Sequence, residues 1–332
     1  YTLVNKVAII KGTNKDDWFD VERLANGQTK VTAYRIKKGE RGKKFHERSY
    51  TNTETKEIWI YGLDDDDKFH VFGDGKCKTK IRLIGGQKKD TYDIQNGTQG
   101  KIYDYKSKKS EFVTNNGSKK LTDDYETNVY DYKKLKNNTN QLIPTIGSNP
   151  DDGFKIGVSN TFTNYGFERN PFTSKHTISA AYYFATNGFD LGYTGEFANV
   201  VGNFNLQVQA QFNSPNYAIN FFGFGNETPN FEADDDDGVD VDLDFNRVKV
   251  RTFKVAPSLV WRGQLGGSFA AGVFYESNEV ERTSARFLDL SLPANSTVFD
   301  QQDFYGVDAK YHFKNVDNEA FPTMGMEVSL QT

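Results

Sequence analysis

The most constraining feature of this sequence is an alternation of apolar and polar residues with period two, sustained from Gly153 onward. That period puts successive side chains on opposite faces of a β-strand. Phe204, Leu206, Val208, Ala210 and Phe212 face one way, and Asn205, Gln207, Gln209, Gln211 and Asn213 the other. Phe189, Leu191, Tyr193, Gly195 and Phe197 stand likewise against Asp190, Gly192, Thr194, Glu196 and Ala198. Similar alternation covers 154–163, 175–186, 216–225, 247–262, 267–277, 302–313 and 324–332, which predicts nine strands.

Several of these are ten residues or longer. Strands of soluble domains are usually ~5–6 residues, whereas a tilted membrane strand needs ~9–11. Short connections are read at Asn187-Gly188, Ser214-Pro215 and 263–267, and long ones at 164–174, 227–246 and 279–301, with a short exception at 200–203. Short turns at one end and long loops at the other are the habit of outer-membrane barrels. Tyr183, Phe184, Phe221, Phe222, Trp261, Tyr311 and Phe313 fall near predicted strand ends, where an interfacial girdle would lie. The pattern favours a transmembrane antiparallel barrel over a soluble sandwich. Pro257 is then placed at a bulge or rim. Val248 and Val250 are out of phase with Phe253, Val255, Leu259 and Trp261, so the start of that strand is expected to project beyond the bilayer. Nine strands do not make the even number of a bacterial barrel, and 324–332 breaks off in mid-alternation. An open edge in lipid leaves backbone groups unsatisfied, so the expectation is an incomplete barrel.

The first part of the sequence differs in charge. Residues 1–150 carry 29 basic and 21 acidic side chains, and residues 151–332 carry 12 and 24. The shift near Pro150 predicts a domain boundary. We divide the chain into a β-rich solenoid-like module at 1–136, a polar linker at 137–152 containing Pro144 and Gly147, and the first part of the barrel at 153–332. The basic excess reads as solvated surface, with no nucleic-acid partner expected. No apolar run approaches the ~18–20 residues of a membrane helix. Cys77 is the only cysteine, which excludes a disulfide scaffold.

Within the module one turn recurs. Gly12 is followed by Asp17, Phe19 and Val21; Gly62 by Asp67, Phe69 and Val71; Gly85 by Asp90, Tyr92 and Ile94. Ile10, Ile60 and Leu83 each stand two residues before the glycine. The intervals of 50 and 23 residues fit rungs of a short β-solenoid or β-roll, with one degenerate rung between the first two. Residues 85–92 resemble the calcium-binding nonapeptide of RTX repeats, although Lys15, Asp65 and Lys88 replace its fourth-position glycine. Calcium, a hard cation that takes oxygen ligands, is therefore the candidate cofactor, with Asp17, Asp64, Asp66, Asp67 and Asp90 as candidate ligands. The rival reading has Asp17, Asp67 and Asp90 capping turns through their own backbone, and it is preferred. The acidic run 232–244 reads as solvated loop.

Catalytic motifs are lacking. His46, His70, His176 and His312 show no ligand spacing, and there is no Gly-x-Ser-x-Gly elbow, P-loop or His-Glu-x-x-His. Arg262-Gly263 reads as a chance fragment.

Three segments, Tyr-Gly-Leu-Asp-Asp-Asp-Asp at 61–67, Ile-Arg-Leu-Ile-Gly-Gly at 81–86 and Val-Tyr-Asp-Tyr-Lys at 129–133, precede the alternating half. In this order they resemble a group of the Omp85 superfamily (surface-antigen, BamA-like) in Bacteroidota. The segment from Asp317 through Pro322 to Gly325 also resembles the Pro-x-x-Gly turn of that superfamily. The resemblance implies a sixteen-stranded barrel in the outer membrane of a diderm bacterium, with the preceding module in the periplasm. It implies partners in outer-membrane lipid and in assembly or secretion components. It also implies a role in membrane-protein assembly or secretion, or in anchoring an upstream metallophosphoesterase domain, whose motifs are absent from residues 1–332. The alternatives are a secreted or surface calcium-binding solenoid and a porin-like solute channel.

Overall fold

The computed structural model describes residues 6–149, 153–215, 218–228, 244–263 and 265–332. The protein is mostly β and divides into two compact units, Tyr1–Lys134 and Leu135–Thr332.

In the first unit the chain passes back and forth between two sheets. One holds β1 (Val7–Lys11), β5 (Glu57–Leu63), β7 (Lys80–Gly86), β9 (Gly100–Asp104) and β11 (Ser118–Leu121), each parallel to the next. The other holds β2 (Asp17–Arg23), β6 (Lys68–Phe72), β8 (Thr91–Ile94) and β10 (Glu111–Asn115), also parallel. A hairpin of β3 (Thr29–Lys37) and β4 (Glu40–Tyr50) extends this second sheet antiparallel from β2.

The repeat sets the register. Ile10, Ile60, Leu83 and Ile102 are aligned across one sheet, and Phe19, Phe69, Tyr92 and Phe112 across the other. Both rows lie in the core between the sheets. The aromatic row is a stacked column with ring centroids 5.1, 5.1 and 5.3 Å apart. Two expectations change here. The 50-residue interval hides no degenerate rung: β2 pairs directly with β6, and the β3–β4 hairpin takes up the extra residues. A further rung also exists, with Ser110 and Phe112 standing where Asp90 and Tyr92 stand one rung earlier. Trp59, Tyr61 and Tyr103 point away from this core yet are buried. The segment after β11 accounts for Tyr61, because beyond α1 (Tyr125–Asn128) the Tyr130 ring meets it edge-on at 5.3 Å.

The second unit is one antiparallel ten-stranded sheet, not closed into a barrel. Its order is β12 (Thr139–Asn149), β13 (Gly153–Asn164), β14 (Ser174–Tyr183), β15 (Gly188–Val201), β16 (Phe204–Asn213), β18 (Arg247–Arg262), β19 (Gly267–Glu281), β20 (Gln302–Val316) and β21 (Gly325–Gln331). A short β17 (Ala218–Asn220) pairs with the start of β18.

The expected linker 137–152 is therefore largely a strand, because Leu142, Pro144 and Ile146 continue the period-two pattern and pair with β13 through its whole length. Pro144 is tolerated because β12 is an edge. The expected strand 216–225 is also corrected: of its described residues, Ala218–Asn220 form a strand, which pairs with Arg247, Val248 and Lys249 rather than crossing the sheet. Most of 227–246 and of the acidic run 232–244 lies outside the described residues. Losing one crossing reverses the sense of every later strand. Connections 165–173, 202–203, 263–266 and 317–324 share one end of the sheet, where β12 also begins. Connections 184–187, 214–246 and 282–301 share the other, where β13 begins. Gly153 thus starts from the end that bears the long loops, opposite to the direction the nine-strand count gives.

Candidate functional site

Two arrangements carry the chemistry: the two faces of the large sheet, and a buried row of aspartates in the first unit.

Directly opposed residues of an antiparallel pair lie on the same face, so the register sorts the side chains. The row Leu191, Phe212 and Phe253 is continuous across three strands. So is the row through Trp261, Phe269, Tyr311 and Leu330. Between these two rows the same face carries Leu206, Val208, Leu259, Ala271, Val273 and Val307. These apolar side chains are uncovered, with Val273 54% and Val307 78% exposed. Trp261 follows Phe253 by eight positions, about 26 Å along a strand at ~3.3 Å per residue. Beyond the Phe253 row that face turns ionic, with Arg251 paired to Glu279 and Lys249 to Glu281 at 3.6 Å. The phase change at the start of β18 is this boundary, and Val248 is buried on the other side.

The opposite face is polar. A groove there is lined by Thr177, Ser179, Asp190, Gln209, Gln211 and Lys254. Tyr183, expected in a girdle, turns to this face and donates to Asp190 Oδ2 at 2.7 Å. Phe221 likewise packs into loop structure, 6.0 Å from Phe287. At the end where β12 begins, the polar face carries a buried network that sequence reasoning missed. Glu196 is held by both Arg262 guanidinium nitrogens and by Asn205 Nδ2 at 2.7 Å. Asn205 also donates to the Asn170 carbonyl at 2.6 Å and accepts from Asn199 N at 3.0 Å. These bonds draw connection 165–173 onto the face, with Phe167 and Phe172 buried beneath it. The Arg262-Gly263 fragment, read as chance, holds the guanidinium of this network. Its one signal in the sequence is a glutamate on the polar phase of a strand whose other charged residue is Asp190.

The turn 317–324 is closed by Asp317. Its carboxylate accepts from the backbone N–H groups of Asn318, Thr323 and Met324 at 3.0, 2.9 and 3.1 Å, and from the Thr323 hydroxyl. These donors, the Thr323 hydroxyl foremost, hold its carboxyl far below the usual range. Gly325, at φ 140°, then starts β21 in a conformation that side chains rarely adopt.

In the first unit Asp17, Asp67 and Asp90 come together in one buried row. Asp17 N donates to Asp67 Oδ1 at 2.8 Å, and Asp67 N to Asp90 Oδ1 at 2.9 Å. Asp90 N then donates to the Ser110 hydroxyl at 3.1 Å. Each acceptor thus serves the rung before it, rather than the backbone of its own turn. Asp17 alone also makes a local bond, from Thr13 N at 2.5 Å, and an ion pair with Arg35 at 2.7 Å. The glycines follow from this geometry, since a Cβ on Gly62 or Gly85 would collide with Asp67 Oδ2 or Asp90 Oδ2. Burial, reinforced by the neighbouring aspartate, pushes Asp67 up to about 10. Burial and the Asp104 charge push Asp90 up to about 8. Both are carboxylic acids at neutral pH.

Asp64 and Asp66 stay outside that row. Asp64 accepts from Asp65 N at 2.9 Å; Asp66 accepts from Lys89 N at 3.2 Å and donates its own N–H to Asp16 at 3.3 Å. Among the described residues no three His, Cys, Asp or Glu side chains converge as a metal-ligand group. The histidines are separate: His70 sits 3.1 Å from Asp20, His176 3.0 Å from the Tyr193 hydroxyl and His312 3.0 Å from Glu327. Cys77 is buried, its Sγ 3.1 Å from the Gln28 carbonyl.

No protein-family model matches this sequence, and no curated protein is significantly similar to it. No helix among the described residues is long and apolar enough to cross a membrane.

Proposed function

We propose that the protein is an outer-membrane β-barrel protein of Omp85 type. In this proposal the ten-stranded sheet is part of a transmembrane barrel, sixteen-stranded like the family it resembles, and the first unit is a β-solenoid-like periplasmic module. One observation carries it: a continuous exposed apolar face bounded by aromatic rows, backed by a polar face. In water such a face is a large uncovered apolar surface; in lipid it has the form of the apolar band and aromatic girdles of membrane barrels. The open edges at β12 and β21 call for further strands, because unpaired backbone groups in lipid cost several kcal/mol each. The end with long loops 214–246 and 282–301 is assigned to the cell exterior, and the end where β12 begins to the periplasm. The role is membrane-protein assembly or secretion, or the anchoring of an upstream phosphoesterase, with outer-membrane lipid and other assembly components as partners. This role rests on the resemblance at 61–67, 81–86, 129–133 and 317–325.

Size-exclusion chromatography with and without nonionic detergent tests the membrane assignment. The chain is expected to aggregate without detergent and to run as one species with it. A monodisperse detergent-free chain would overturn the proposal. A second reading, porin-like passage of polar solutes, is favoured by the groove of hydroxyl and amide side chains at Thr177, Ser179, Gln209 and Gln211. Solute-selective swelling of vesicles containing the protein would single it out.

A further inference from the structure

The positive charge of the first unit is concentrated in one element. Residues 30–50 hold eight basic and two acidic side chains, a balance of +6 out of the +8 carried by residues 1–150. They build the β3–β4 hairpin, whose β4 is an unpaired edge of its sheet. Some of the charge is compensated locally. Lys30 and Lys44 share Glu47 at 3.7 and 2.9 Å, and Arg35 and Arg41 are each 2.7 Å from a carboxylate, Asp17 and Asp20. Lys37, Lys38 and Lys43 have no acidic partner among the described residues, and Arg48 lies only over the Tyr50 ring at 5.2 Å. Among these cations Phe45 is left unpaired by a bulge, since Ala33 pairs with His46 and Tyr34 with Lys44. Its ring is 40% exposed.

Lysines and bulges also protect an edge strand from adding another strand. Edge protection accounts for lysines, however, and gives no reason for an exposed phenyl ring among them. An exposed apolar side chain on a cationic hairpin is the composition that binds an anionic lipid surface, where the ring enters the headgroup–acyl boundary and the cations meet phosphate. We propose that the β3–β4 hairpin docks on the headgroup plane of an anionic, phosphate-bearing bilayer through Lys37, Lys38, Lys43, Arg48 and Phe45. The choice of a bilayer over a soluble polyanion rests on the outer-membrane proposal above, which gives the chain a membrane. A nucleic-acid duplex offers phosphates but no apolar boundary for Phe45.

The test uses the full chain in nanodiscs, which leave both membrane faces accessible. Discs of phosphatidylcholine alone are compared with discs in which phosphatidylglycerol replaces part of it. Tryptic cleavage after Lys37, Lys38, Lys43 and Lys44 is followed by mass spectrometry. Cleavage is expected to be about tenfold slower in the anionic discs, given the favourable energy of each lysine near such a surface, and the protection should vanish in high salt. The triple variant K37E/K38E/K43E keeps a charged edge and should be cleaved at Lys44 at equal rates in both discs; K37Q/K38Q/K43Q checks that reversal has not unfolded the hairpin. Insertion with equal wild-type cleavage in both discs sinks the docking and leaves the membrane assignment standing. Protection in neutral discs by added DNA duplex or inorganic phosphate would make the hairpin a general polyanion site and overturn the lipid assignment. If the chain enters neither disc, the outer-membrane proposal falls, and flotation of the same chain with phosphatidylglycerol vesicles decides the docking by itself.

Discussion

Phe69 in the first unit and Phe253 in the second are the same side chain on a β-strand, yet Phe69 is 1% exposed and Phe253 41%. Phe69 lies in the stacked column between Phe19 and Tyr92. Phe253 opposes Phe212 in a row left exposed on its face of the sheet. The first unit winds so that each sheet is the other's cover, and its apolar rows meet inside. The second lays all its apolar rows on one face of a single sheet. Period-two alternation is therefore only half of a fold: it fixes which residues share a face, and what covers that face is decided by connectivity. Short rungs bring the chain back across its own core. Long antiparallel crossings leave that face of the sheet without a cover of its own.

The largest expected effect sets the units apart by pH. Asp67 and Asp90 are held neutral in the fold, up to about 10 and about 8, whereas in the unfolded chain a carboxyl ionises near ~3.9. The folded first unit therefore holds more protons than the unfolded chain. Its stability is fully present below about pH 4, falls as pH rises above that, and levels off past 8 for Asp90 and past 10 for Asp67. The loss should reach several kcal/mol. Asp90→Asn keeps an acceptor oxygen for Asp67 N and removes one of the two ionisations, so it should make the fall shallower. Urea denaturation of the first unit's signal from pH 5 to 10 checks both. Stability that rises with pH over that range would contradict the neutral row, and the second unit should show no such fall.

Phe69→Ala should cost about 3–5 kcal/mol, as for other buried aromatic truncations. Phe253→Ala should cost well under 1 kcal/mol if its face meets water, where the ring is already half exposed. Equal costs would erase the distinction between the units. Val273→Lys sharpens it from the membrane side. In the middle of the apolar face, a lysine should cost about 2–4 kcal/mol of folding stability in a bilayer and almost nothing in water. Denaturation in lipid vesicles, set beside the same measurement in detergent, would show whether lipid is the cover that face lacks.

The column and the row of aspartates explain what was legible in the sequence. Spacing alone placed Gly12, Gly62 and Gly85 in equivalent turns, and the register of Ile10 with Ile60 and Leu83 agrees. What the carboxylates do was not legible. Capping one's own turn and accepting from the next rung need the same aspartate at the same position, and only the stacking of rungs tells them apart. The rung at Ser110 escaped because serine replaces the aspartate and Asp104 fills the place of the glycine. In the sheet, 216–225 alternates well enough to pass for a strand, but hydrophobic period says nothing about which neighbour a segment reaches. Strand β12 escaped for the converse reason, since Pro144 and Gly147 disguise alternation that an edge tolerates. Glu196 and Arg262, 66 residues apart, share no pattern that a linear reading detects.

Ion pairs give the finest comparison. In the first unit Arg35 meets Asp17, whose side chain is fully buried, so Arg35→Ala strands a charge away from water and should cost about 3 kcal/mol. In the second, Arg251 and Glu279 have side chains 45% and 38% exposed. They lie past the aromatic row, on the face that is otherwise apolar, so in the proposed barrel the pair's surroundings report where lipid ends. With water on both sides, Arg251→Ala should cost at most ~1 kcal/mol and the loss should shrink further in high salt. If the apolar band reached that far, removing Arg251 would leave Glu279 in hydrocarbon and the cost in vesicles would be several times larger and insensitive to salt. A small, salt-sensitive cost beside a large one at Val273 would place the outer edge of the band between those two positions.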